Sequence, residues 1–264
     1  MAISSVGVVG TGVIGEALIG ALLRSGTPRD AILIAEKRSE RKNEICQKYG
    51  VSKLISFESV DVLLLSVKPQ DFMSTIEQLQ NMNIELPLIV SFAAGIRTSA
   101  IEKALGNKAR VIRVMPNTPM TLGRGMSAIS LGTLASKDDR EWVSRFLGAT
   151  GEVITVPEEL QDAVTATSGS GPAYFYAFTE AVVAAANKLG LSESDSMILA
   201  KETLIGAALM VEKSGKDLQT LRENVTSPNG TTSAALKKFT ELGLEELVFE
   251  SMKAARDRSI ELSS

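Results

Sequence analysis

The chain enters its first helical pattern through a glycine turn. Val6-Gly7-Val8-Val9 reads as a buried strand and runs directly into Gly10-Thr11-Gly12-Val13-Ile14-Gly15. This G-x-G-x-x-G spacing between strand and helix restricts the fold more than any other feature. Gly10 allows the tight turn, Gly12 lets the backbone approach a pyrophosphate, and Gly15 lets helix and strand pack closely. The following helix aims its N-terminal amides at the phosphates. A glycine turn in an unrelated α/β domain is the bland alternative. The position of the motif after a buried strand favours dinucleotide binding, with Gly10, Thr11, Gly12, Val13 and Ile14 lining the cradle.

The remaining pattern supports a doubly wound sheet. Fully apolar runs at 32–35, 62–67, 88–92, 111–114 and 126–130 predict strands covered on both faces, and 16–25 and 38–49 predict helices. The fold class is α/β: an N-terminal Rossmann-like doubly wound parallel sheet, residues 1–157, followed by an all-α domain, residues 158–264. Helices are expected at 158–167, 173–189, 196–213, 231–242 and 245–262, with Ser192 as an N-cap answered by Asp195. The sheet domain carries 18 basic and 15 acidic side chains, the helical domain 10 and 16, so an anionic ligand suits the former. The formal net charge of -3 marks no nucleic-acid binder. The absence of histidine excludes a histidine base and histidine-ligated metals, and the lone Cys46 excludes an internal disulfide or a cysteine-rich zinc site. No metal, no membrane span and no targeting segment are expected, which fits a cytoplasmic chain.

Ligands of such sheets collect beyond the carboxyl ends of the strands. Glu36 follows the second strand, where an acid takes the adenosine ribose hydroxyls. Lys37 and Arg38 beside it offer charge to a 2′-phosphate. Arg41 and Lys42 read better as a solvated helix face. Three further loops are candidates for cofactor contact: Ser66-Val67-Lys68-Pro69, Ala93-Ala94-Gly95, and Met115-Pro116-Asn117-Thr118, whose polar groups suit a nicotinamide. The helical domain has a pair of hydroxyl-rich loops that enter helices. One is T-A-T-S-G-S-G-P at 165–172, with Pro172 at a helix start. The other is V-T-S-P-N-G-T-T at 225–232, where Ser227 and Thr231 are candidate caps.

Taken together, S-V-K-P, V-M-P-N-T-P, D-A-V-T-A-T-S-G-S-G-P-A-Y-F and V-T-S-P-N-G-T-T resemble the pyrroline-5-carboxylate reductase family across essentially the whole chain. The resemblance implies reduction of a cyclic imine to L-proline with NADPH, NADH being the alternative. It implies a homodimer through the helical domain, extended in some cases to a ring of dimers. It places substrate on Ser227, Asn229, Gly230, Thr231 and Thr232, with Ser227 and Thr232 catalytic and Thr232 facing the ring nitrogen. Asn229 stands where the family has glycine. A β-hydroxyacid dehydrogenase-like reductase using Lys188 or Lys201, and a non-catalytic dinucleotide-binding regulator, are the alternatives.

Overall fold

A computed structural model describes residues 3–67, 69–81 and 84–262. By contacts between residues it forms two compact units, one of residues 1–170 and 255–264 and one of residues 171–254. Strand character ends before 157, whereas the contacts divide at Ser170, because the intervening turns pack on the sheet.

The first unit is built on an eight-stranded sheet with order β3-β2-β1-β4-β5-β6-β7-β8. The strands are β1 (Val6–Val9), β2 (Ile32–Ala35), β3 (Ser52–Lys53), β4 (Val62–Leu65), β5 (Leu88–Ser91), β6 (Val111–Met115), β7 (Gly125–Leu131) and β8 (Gly151–Thr155). Strands β1 to β6 are parallel, with Val9 level with Ala35 on one side and Leu65 on the other. Alternate residues serve opposite faces. Val6, Val8, Val62, Leu64, Leu88 and Val90 pack with α1 (Val13–Arg24), α2 (Ser39–Tyr49) and α5 (Lys137–Gly148). Val9, Leu63, Leu65 and Ile89 pack with α3 (Pro69–Asn81) and α4 (Thr98–Ala104). Burial on both faces explains why these strands read as continuous apolar runs.

The sheet departs from the all-parallel expectation at one edge. Strand β7 runs antiparallel to β6, and β8 lies parallel to β7. The connection at 116–124 is too short for a crossover helix, so the chain turns back on itself. The expected strand at 126–130 is β7. Elements α3, α4, α5, β3 and β8 lie outside the apolar runs and are additions to the sequence expectation.

A buried ionic group holds the turns after β8 to the sheet. Arg113 on β6 is 1% exposed. Its guanidinium lies 3.5 Å from Glu158 and 3.7 Å from Asp162. Glu158 also accepts from the Thr98 amide and hydroxyl. Asp162, on the short helix α6 (Gln161–Val164), accepts from Ser259 at 2.7 Å, which ties the chain's last turns to the first unit.

The second unit contains α7 (Gly171–Lys188), α8 (Glu193–Lys213), α9 (Leu218–Asn224), α10 (Thr231–Glu241) and most of α11 (Leu244–Glu261). Ser192 caps α8 as the sequence indicates, accepting from the Asp195 amide and donating to its carboxylate. Apolar side chains remain uncovered on several of these helices, including Phe175, Tyr176, Phe178, Ile198, Met210 and Leu247. Among the described residues of α8, only Ser196 and Ala200 are buried. No helix among the described residues is long and apolar enough to cross a membrane.

Arg113→Met leaves two carboxylates at a buried site without their cation, at a cost of about 3–5 kcal/mol. Urea unfolding of the variant is expected to show that loss. Adding Glu158→Gln and Asp162→Asn is expected to recover most of it.

Candidate functional site

The parallel strands end on one edge of the sheet, and their order reverses between β1 and β4. Five of the loops singled out above follow β1, β2, β4, β5 and β6 on that edge. Their side chains are largely engaged with one another.

The three glycines of the first loop answer to different constraints. Gly10 has φ +86°, and a Cβ there would lie 2.9 Å from the Ser66 carbonyl oxygen. At Gly15 a Cβ would lie 2.0 Å from the Gly10 carbonyl oxygen, so α1 rests backbone to backbone on the turn. Gly12 is the N-cap of α1, and a Cβ there would meet nothing within 4 Å. Internal packing therefore requires glycine at positions 10 and 15 and not at 12. The open space at Gly12 fits a group brought in from outside, such as a pyrophosphate. The first helical bond of α1 runs from Glu16 N–H to Gly12 C=O, which leaves the preceding amides uncommitted to the helix.

Thr11 is fully buried. Its amide and hydroxyl donate to Glu36 at 3.1 and 2.9 Å. Glu36 also accepts from the Arg38 amide and guanidinium, each at 3.0 Å. Burial raises the Glu36 pKa, but the bonds from Arg38 and Thr11 outweigh it and hold the group down at about 2. The carboxylate expected to meet ribose hydroxyls thus serves the chain's own loop. Lys37 pairs with Asp71 at 2.7 Å, and Arg38 is exposed. Arg41 is not the solvated residue the sequence reading makes it. Its side chain is 21% exposed, bonded to Glu16, Glu44 and the Thr11 carbonyl. Lys42 is half-buried, so it too is not fully solvated.

The other strand-end loops behave similarly. Ser66 donates to the Gly10 carbonyl at 2.7 Å, and Val67 is half-buried beside Gly10. Lys68 lies outside the described residues, and Pro69 opens α3. Ala93 is buried, Ala94 is half-buried, and Gly95 has φ +77° with Leu262 packed against it. Met115 packs on Gly169, and Pro116 is buried. Asn117 donates to the Ser168 carbonyl at 3.1 Å and accepts from the Met126 amide at 2.8 Å, while Thr118 is exposed. Residues Thr165–Gly169 form a π-helical turn, so this asparagine joins two of the family-like motifs. Periodicity shows none of these links.

The loop at 227–232 belongs to the second unit. Asn229 takes the left-handed conformation, φ 59°, at the position where glycine is expected. Asparagine tolerates that region better than most residues, so the turn survives. The N-cap of α10 is Gly230, without a side-chain capping bond. Ser227 and Thr231 are therefore not the caps the sequence suggests. Among the described residues, no hydrogen bond within the chain engages the hydroxyls of Ser227, Thr231 or Thr232. Gly230 lies against Ser227, where a Cβ would come within 2.3 Å of the hydroxyl oxygen.

A Rossmann-type sheet with an open glycine cradle, joined to a helical unit bearing a hydroxyl-rich loop, defines a two-domain, dinucleotide-dependent oxidoreductase. Residues 5–95 match the family described as NADP oxidoreductase, coenzyme F420-dependent. Residues 158–262 match that described as pyrroline-5-carboxylate reductase dimerisation. Pyrroline-5-carboxylate reductase 1 of Bacillus spizizenii is 37% identical over 97% of this chain and 88% of its own length. The structure of the Coxiella burnetii pyrroline-5-carboxylate reductase has a TM-score of 0.91 at 31% identity, covering 99% of both chains. That of the Plasmodium falciparum pyrroline carboxylate reductase, with NADP bound, has a TM-score of 0.85 at 26% identity, covering 98% of both. The chain belongs to the pyrroline-5-carboxylate reductase family.

The depressed Glu36 pKa links the glycine loop to acid stability. The carboxylate is ionised in the folded state down to about pH 2 and in the unfolded chain only above about 4.5. Its contribution is complete above the unfolded value and is lost as pH falls toward 2. The stability advantage of the wild type over Glu36→Gln is expected to be constant above about pH 5.5 and to shrink between pH 4.5 and 2. Urea titrations along a pH series check this.

Proposed function

We propose that this chain reduces L-1-pyrroline-5-carboxylate to L-proline, the last step of proline biosynthesis, with NADPH as preferred cofactor and NADH as alternative. The observation that carries this reading is the loop entering α10. Among the described residues the hydroxyls of Ser227, Thr231 and Thr232 have no hydrogen-bond partner, and the first amides of the 11-residue helix behind them are uncommitted.

The substrate is a cyclic imine bearing a carboxylate. The carboxylate suits the N-terminus of α10, where Thr231 presents its amide and Ser227 a hydroxyl, while Gly230 closes the turn by donating its amide to the Ser227 carbonyl at 3.0 Å. Asn229 shapes the turn. The Thr232 hydroxyl donates to the ring nitrogen and orients the imine; so weak an acid does not supply the proton outright, and the nitrogen takes the proton that completes the amine from solvent. When bound, the reduced nicotinamide supplies the hydride that adds to the imine carbon. The first unit holds the dinucleotide at Gly10, Thr11, Gly12, Val13 and Ile14, with Lys37 and Arg38 toward the 2′-phosphate. The loops at Ser66–Pro69, Ala93–Gly95 and Met115–Thr118 flank the remainder. A histidine base is not needed.

A homodimer accounts for the uncovered apolar side chains of the helical unit, since a lone bundle leaves them in water. Residues 158–264 are its dimerisation and substrate domain, residues 1–157 the dinucleotide domain. Assembly into a ring of dimers and a cytoplasmic location complete the proposal.

The direct test is NADPH oxidation with pyrroline-5-carboxylate. Turnover supports the reading. Dinucleotide binding without turnover would favour a non-catalytic regulator. Thr232→Ala is expected to lower kcat by an amount corresponding to about 2–4 kcal/mol. Ser227→Ala is expected mainly to raise the substrate KM. Unchanged kinetics with a lowered Tm would reduce both hydroxyls to structural roles. Replacing Lys37 and Arg38 together by alanine is expected to raise KM for NADPH more than for NADH. Equal effects would remove them from 2′-phosphate recognition.

A further inference from the structure

The glycine loop is held from outside itself, and one of the groups that holds it has no place in the reading above. In a trans peptide the carbonyl and the following N–H point in opposite directions. The Gly10 carbonyl is taken by Ser66, and the next amide, that of Thr11, points to Glu36. The Thr11 carbonyl is taken by Arg41 Nε at 3.1 Å. The following amide, that of Gly12, is therefore turned away from Arg41, at the one glycine of the motif with open space around its Cα.

Arg41 is itself immobilised. Its two terminal nitrogens pair with Glu44, at 2.6 Å, and with Glu16. Glu16 in turn accepts from Lys48 at 2.8 Å and from the Tyr49 hydroxyl at 2.9 Å. Burial raises the Glu16 pKa, but these bonds from Lys48, Arg41 and Tyr49 lower it further, to about 2. With Lys48 the cluster sets two cations against two carboxylates, so it carries no net charge and the effect of Arg41 on the loop is one of geometry. Its reach comes from α2, which brings Arg41, Glu44 and Lys48 onto one face by their three- and four-residue spacing.

We propose that Arg41 is a positioning residue for the dinucleotide. It fixes the Thr11–Gly12 peptide so that the Gly12 amide is already aimed at the pyrophosphate before binding. Glu36 completes the clasp from the other side through Thr11, acting as a loop anchor in place of a ribose ligand. The inference rests on the glycine loop being the dinucleotide site. It separates Arg41 from Arg38, because the pyrophosphate is common to NADH and NADPH whereas the 2′-phosphate is not.

Arg41→Lys keeps a cation between Glu16 and Glu44 but removes the Nε donor to Thr11. Calorimetric titration with NADPH, NADH and ADP-ribose is expected to show a weakening of about five- to tenfold, equal for all three. At saturating cofactor kcat is expected to be unchanged. Glu44→Gln, which leaves the Thr11 contact intact, is expected to bind all three as the wild type does. Unchanged affinity in Arg41→Lys, with or without a lower Tm, would overturn the proposal. A loss confined to NADPH would also overturn it, making Arg41 a reader of the 2′-phosphate. A wild-type chain that binds none of the three would instead remove the dinucleotide reading, and this role with it.

Discussion

In the glycine loop two pieces of backbone, the Gly10 carbonyl and the helix at Gly15, lie directly against each other. No side chain fits between them. That contact sets the direction in which α1 leaves β1, and hence where its uncommitted amides point. It also places Thr11 in the interior, where each of its polar groups needs a partner. Glu36, from the end of β2, and Arg41, from α2, supply them. The cradle therefore depends on the second βα unit as much as on its own glycines.

The two units use polar groups in opposite ways. Along the strand ends, Ser66, Glu36, Arg41 and Asn117 point inward and hold backbone, which leaves amides for a ligand. Such loops are pre-formed, so less ordering has to accompany binding. In the loop before α10 the hydroxyls of Ser227, Thr231 and Thr232 have no partner among the described residues, and a left-handed Asn229 and a crowded Gly230 shape the turn. That difference suits the chemistry of the two ligands. A dinucleotide presents many phosphate oxygens to backbone donors, whereas a small cyclic imine presents one nitrogen and one carboxylate.

Much of this is readable in the sequence, for physical reasons that also mark where reading stops. Strands β1 and β2 emerge at their observed residues because apolar runs buried on both faces have few alternatives. Strand β8 does not, because Gly151–Thr155 is mostly open to solvent and carries little apolar signal. Helix α3 repeats Phe72, Ile76 and Leu79 at helical spacing, a signal that lies outside the continuous apolar runs. The glycine motif and the S-P-N-G-T-T loop are legible as motifs. The tasks of Glu36 and Arg41 are not, since both depend on contacts with Thr11 made 25 and 30 residues apart. The cap of α10 differs from the sequence expectation for a local reason: Gly230 takes the capping position without any side-chain bond.

The central claim is that hydride passes from the dinucleotide to the ring carbon of a cyclic imine. Isotope transfer tests it most directly. The chain is incubated with pyrroline-5-carboxylate and NADPH carrying deuterium at C4 of the nicotinamide, on the face that transfers. The account requires proline with one deuterium, on the ring carbon that was doubly bonded to nitrogen. Oxidised cofactor without labelled proline, or proline carrying no deuterium, would contradict it.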